Sequence, residues 1–197
     1  KIIKDEWDTI MPPKIDTEVK KQAGKIVMYK LTGDSSPTDE QIDKTIFPNT
    51  GKIIIPMKVF LKHKHSLQDR VENNDISIWF DTHEEIKELI DEVNDINQFQ
   101  IIAVRVGKFA DGRIFSIGTQ LRIKFKYKNT LRAFGDVLRD QLFFLKRTGF
   151  TSYLIREDRN VNDALNALDD FSMPYQGAID EISPAWKRVD RKKLLKD

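Results

Sequence analysis

Cysteine is absent from this chain, which excludes disulfides, thiolate zinc sites and iron–sulfur ligation by its own residues. Histidine is nearly as scarce, with three in 197 residues. His63 and His65 stand two apart in HKH, on different sides of any helix, and none of the three sits in an H-E-x-x-H arrangement, so no metal site is expected. A dominant charge is lacking too: 33 Lys and Arg against 31 Asp and Glu leave +2, without the basic stripe of a nucleic-acid binder. The one basic run, Lys187, Arg188, Arg191, Lys192, Lys193 and Lys196, reads as a solvated tail. No apolar stretch approaches the ~20 residues of a membrane span, and no signal peptide is visible. The sequence holds no G-x-S-x-G, Walker A loop or G-x-G-x-x-G, which argues against an ordinary nicotinamide-binding Rossmann domain. A cytoplasmic protein follows as the expectation, with no cofactor announced by a motif and neither nucleic acid nor membrane as partner.

What is present is an alternation of short apolar runs and helical periodicity. The length suits one globular domain with extensions and can bury a core without staples. Residues 1–50 read as a small β extension and linker, with β-like runs at 2–3 and 24–29, Pro12–Pro13 between them, and a loop-like stretch from 32 to 50. From Gly51 the pattern becomes regular. Strands are expected at 53–55, 76–80, 101–106, 130–134 and 152–155. Helices are expected at 56–70, 83–96, 116–127, 137–148 (with Gly149 as C-cap) and 160–170. The α/β domain spans 51–176 and the basic tail 177–197. Five strand–helix units in series imply a parallel sheet, since each crossover helix returns the chain to the same end. The cadence suggests an incomplete (β/α) barrel-like sheet, with an open doubly wound sheet as the alternative.

In such folds ligands bind at the carboxyl ends of the strands. That rim collects Asp81, then Lys108, Asp111, Gly112 and Arg113, then Gly135, Asp136, Arg139 and Asp140, then Arg156, Glu157 and Asp158. Asp111–Gly112 is a turn dipeptide that launches Arg113 from a bend, and Ser116 stands near the next helix start, where it can cap or help bind an anion. Gly135 permits a turn or close backbone approach before Asp136. An anion site built from Arg113, Arg139 and Arg156 is one reading, because the planar guanidinium matches oxyanions in bidentate fashion. Asp111 and Asp136 are then the candidate proton carriers. In the other reading the aspartates cap helices and the arginines pair with them to tie loops together. The helix at 137–148 is apolar enough to be mostly core, and its adjacent Phe143 and Phe144 mark a possible dimer or partner surface.

Several of these residues form a longer pattern. Phe109-Ala110-Asp111-Gly112-Arg113 with Ser116, the run Gly135-Asp136-Val137-Leu138-Arg139-Asp140-Gln141-Leu142, Arg147 with Gly149-Phe150, residues 154–157, and Asp170-Phe171-Ser172 with Tyr175-Gln176 together resemble a bacterial family known as domain of unknown function 934. The similarity runs from about Gly51 to Gln176. The family pattern usually follows Asp-Gly-Arg with a small residue, where this chain has Ile114. The resemblance implies a setting in sulfate assimilation and cysteine biosynthesis, beside the haemoprotein of assimilatory sulfite reductase. It also implies an oxidoreductase role without a defined reaction. The partner it implies is that haemoprotein or its electron donor.

Overall fold

A computed structural model describes residues 1–13, 37–156 and 158–188. Its centre is a six-stranded sheet, parallel throughout and ordered strictly by sequence. The strands are β1 (Asp8–Thr9), β2 (Ile53–Pro56), β3 (Ile76–Asp81), β4 (Ile101–Val106), β5 (Thr130–Gly135) and β6 (Ser152–Tyr153). A doubly wound sheet needs a point where the strand order reverses. None occurs among the described strands, so right-handed crossovers carry the helices between strands to the same face and the sheet curls as a half-barrel.

The principal helices are α1 (Asp39–Asp43), α2 (Met57–Glu72), α3 (Lys87–Glu92), α4 (Arg113–Ile123), α5 (Leu142–Arg147), α6 (Val161–Ala167) and α7 (Ala185–Arg188). Strand alternation divides the core in two. Ile53, Ile55, Ile78, Phe80, Val104 and Leu131 point to the helix layer and meet Phe60, Leu121 and Leu145. On the concave face Ile54, Trp79, Ile101, Ala103 and Phe134 form a smaller cluster covered by Trp7. The N-terminal strand therefore belongs to the main sheet: Asp8 and Thr9 pair with Ile53 and Ile54, and the Trp79 indole N–H donates to the Ile10 carbonyl at 2.8 Å. The β-like run at 2–3 forms no strand, and the one at 24–29 lies outside the described residues.

Side-chain capping moved several boundaries. The expected loop at 32–50 contains α1, started by a capping box between Thr38 and Gln41. Helix α4 begins three residues early because the Asp111 carboxylate accepts the Arg113 N–H. The helix expected at 137–148 opens as a 3-10 turn, Arg139–Gln141, with the Gln141 side chain accepting the Leu138 N–H at 3.0 Å. The helix expected at 83–96 shortens to α3, ending where Val93 turns extended, and Asp95 caps a separate 3-10 turn at Ile96–Gln98. Asn160 caps α6 by accepting the N–H groups of Asn162 and Asp163.

Candidate functional site

Position in the sheet brings charged groups to the strand C-terminal rim. The last residue of β3, Asp81, lies directly across from Arg105 of β4. The Arg105 fork donates to both Asp81 carboxylate oxygens, with Nη2 at 2.8 Å, and the guanidinium lies 5.1 Å from the Trp79 ring centroid. Asp81 is 1% exposed, and burial pushes its carboxyl above the ordinary value despite the arginine. The Glu84 side chain is buried as well; its carboxylate accepts the Asp81 backbone N–H at 2.8 Å, and desolvation raises its pKa too. The Lys58 ammonium lies 4.0 Å from the Glu84 carboxylate.

From there the loops interlock. The Thr82 hydroxyl donates to the Asp111 carboxylate, which also receives the Arg113 guanidinium in bidentate fashion at 2.9 and 2.8 Å. Arg113, with a smaller contribution from Thr82, holds the Asp111 carboxyl down to about 2. A carboxylate so easily ionised carries a proton poorly near neutrality. Asp136 accepts the Phe109 N–H at 3.0 Å and the Arg156 guanidinium at 2.8 Å. Arg156 also grips Asp158 with two bonds of 2.9 Å. Gln141 donates to the Phe109 carbonyl at 2.6 Å, tying the loop after β4 to the loop after β5. Gly135 makes the approach possible: its φ is +94°, and a Cβ there would meet the Val106 carbonyl oxygen at 2.5 Å.

Of the three arginines expected on one anion, Arg113 and Arg156 stay on the rim and Arg139 does not join them. Arg139 reaches α6 instead, donating to Asp163 at 3.2 Å and Asp170 at 3.1 Å. Gly112 caps α4 with open space around it. Ser116 is exposed within that helix, a turn past the position where a hydroxyl caps. Glu157 lies outside the described residues.

Sequence reasoning passed over Arg105, Thr82, Glu84 and Gln141. Arg105 had a usable signal, being a lone charge inside the apolar run IIAVRV. Such a residue on a buried strand demands an anion opposite it, and Asp81 closes the preceding strand. Beside the rim, aromatic side chains reach the surface. Phe143 touches Phe144 and Phe171, with ring centroids 5.5 and 4.9 Å apart, and Phe115 lies 6.5 Å from Phe144. Phe109, Phe144 and Phe171 are each more than half exposed.

A family model described as a bacterial protein of unknown function, DUF934, matches residues 77–186, from β3 through α7 and so across the whole rim. The chain belongs to the DUF934 family. No curated protein and no solved structure matches it. In this DUF934 chain Ile114, the residue standing in the small-residue position, is 1% exposed and part of the helix-side core. Its side chain therefore fills space beneath α4 and leaves the surface of the Asp111–Gly112 bend uncovered. Among the described residues, no group of three or more His, Asp or Glu side chains could hold a metal ion, and no helix is long and apolar enough to cross a membrane.

Proposed function

We propose that this DUF934 protein is a cytoplasmic accessory factor of assimilatory sulfite reduction, docking on the sulfite reductase haemoprotein or its electron donor and so serving sulfide supply for cysteine synthesis. The setting comes from the family resemblance. The observation that carries a docking role over an anion-clamping one is that the rim arginines already have carboxylates: Arg113 has Asp111, Arg156 has Asp136 and Asp158, and Arg139 has Asp163 and Asp170. Networks of that kind hold loops in shape. The exposed Phe109, Phe144 and Phe171 alongside are the side-chain type enriched in protein interfaces. The test is co-purification with the haemoprotein, with sulfite turnover followed in parallel. Co-elution with faster or donor-dependent turnover is expected. Clean separation with unchanged turnover would remove the reading.

A second reading has one observation in its favour. Asp81 and Glu84 are adjacent carboxyls raised by burial, while Asp111, which accepts the hydroxyl of Thr82 next to Asp81 in sequence, is lowered. Environments that push neighbouring carboxyls apart are how acid–base sites are built. An enzyme acting on a sulfur oxyanion or phosphorylated substrate would use Asp81 or Glu84 as its proton carrier, and Asp81→Asn would abolish turnover while leaving the fold intact.

A further inference from the structure

The concave face holds a second arginine, this one buried, whose carboxylate partner is far away in sequence. Arg132 of β5 lies across from Ala103 on one side and Ser152 on the other. Its side chain is only 7% exposed. The guanidinium donates to both oxygens of Asp5 at 2.7 and 3.1 Å and to the Ser152 hydroxyl at 3.2 Å. A guanidinium this buried requires an anion, and among the described residues the carboxylate that pairs with it is that of Asp5. The anion comes from the irregular N-terminal segment, residues 1–7, in which Ile2 and Ile3 stay exposed and the other ion pair, Glu6 with Lys52, is itself exposed at the surface.

Beneath that segment lies a half-open cavity of about 1080 Å³ that runs from the N-terminal ends of the strands, at Lys52, Gln100 and Thr130, along β6 to Ile155. Its size is that of a small-molecule site. Arg132 and Asp5 lie at its wall, and Ile3, Trp7, Ile155, Leu165 and Leu168 supply apolar surface. The lining mixes apolar and polar side chains, with Lys1, Lys4 and Lys52 beside the buried Arg132; a buried guanidinium already satisfied by a carboxylate in bidentate geometry, in that basic setting, defines the chemistry of what fits. A neutral guest displacing Asp5 would strand the buried cation, whereas a carboxylate guest exchanges for it like for like.

We propose that this cavity binds a small amphiphile with a carboxylate head and an apolar body, the head replacing Asp5 on the Arg132 fork. Asp5 is then a tethered competitor that any guest must displace. This is independent of partner docking at the rim. The test titrates monomeric decanoate, and 1-decanol as its neutral counterpart, into the full chain, read by calorimetry and by the fluorescence of Trp7 against the cavity. Saturable decanoate binding is expected. Asp5→Asn, which keeps the shape of the segment, should tighten decanoate about tenfold and leave decanol unchanged. Arg132→Met should erase the preference for decanoate over decanol. Decanoate bound no more tightly by Asp5→Asn than by the parent chain, or decanoate and decanol bound equally by Asp5→Asn, would overturn the assignment. Those outcomes decide the matter even if Arg132→Met does not fold.

Discussion

Replacing Asp111 by Asn keeps the side-chain shape and removes the charge that joins Thr82 to Arg113. The fall of its carboxyl pKa from 3.8 to about 2 corresponds to at most about 2.4 kcal/mol of native-state preference for the ionised form, at 1.36 kcal/mol per pKa unit. Arg113, which supplies the largest part, has a side chain 50% exposed. Solvent screening therefore reduces the expected contribution to about 1 kcal/mol. The sign is fixed by the direction: a carboxyl whose folded pKa lies below its unfolded value stabilises the protein above the unfolded pKa, and that stabilisation is lost as the pH falls through the folded one. Urea unfolding of the parent and of Asp111→Asn should thus differ by about 1 kcal/mol at pH 7, with the gap closing between about pH 4 and pH 2. A gap that stays constant down to pH 2, or none at pH 7, would refute the assignment of Asp111 as an ionic tie between the rim loops.

Three further outcomes follow from the same geometry. Arg105→Met leaves the Asp81 carboxyl buried without its partner and should cost about 3–5 kcal/mol at pH 7. Because burial raises the folded pKa of Asp81, that cost should shrink on acidification as the carboxyl takes up a proton, in the same sense as for Asp111→Asn but starting from a higher pH; a loss independent of pH would contradict this. Gly118→Ala would raise helix propensity by about 1 kcal/mol, yet the new Cβ meets the Thr148 carbonyl oxygen at 2.7 Å and the Phe150 ring at 2.6 Å. Overpacking should win, for a net loss of about 1–2 kcal/mol in thermal or urea unfolding, and a gain would deny the close approach of α4 to the turn before β6. Phe144→Ser should abolish co-elution with the haemoprotein while leaving thermal stability nearly unchanged, since Phe144 is more than half exposed; retained co-elution would move the interface elsewhere.

The α/β class was readable because each buried strand is a short apolar run followed by helical spacing; the barrel-like curl was favoured over an open sheet only by the strand–helix–Gly–strand cadence. Strands 76–80 and 101–106, and the helix opened by Pro56, stand almost where the periodicity put them. Boundaries set by one side chain were harder to read: Asp111 pulls α4 forward, and Gln141 tightens the start of α5 into a 3-10 turn. The capping box at Thr38 and Gln41 was legible and hidden only by the polar residues around it. For the rim, strand ends located Asp111, Arg113, Asp136 and Arg156, but pairing depends on distances between loops that no spacing encodes. Arg139 turned to Asp163 in α6 and Asp170 just past its end because the fold brings that element alongside, a tertiary fact. Arg105 and Arg132 are a different case. Each is a lone cation in an apolar strand, which calls for a buried anion, and only parallel register and the path of the N-terminal segment identify Asp81 and Asp5 as the answers.

The most direct test of the docking account is a calorimetric titration of sulfite, and separately of phosphate, into the purified chain without any partner present, repeated on Arg113→Ala and Arg139→Ala. Arginines already held by Asp111, Asp163 and Asp170 should give no saturable binding of either anion, in the parent chain or in the variants. Saturable binding of sulfite or phosphate that both substitutions abolish, with the fold intact, would contradict the account and make the rim an anion site.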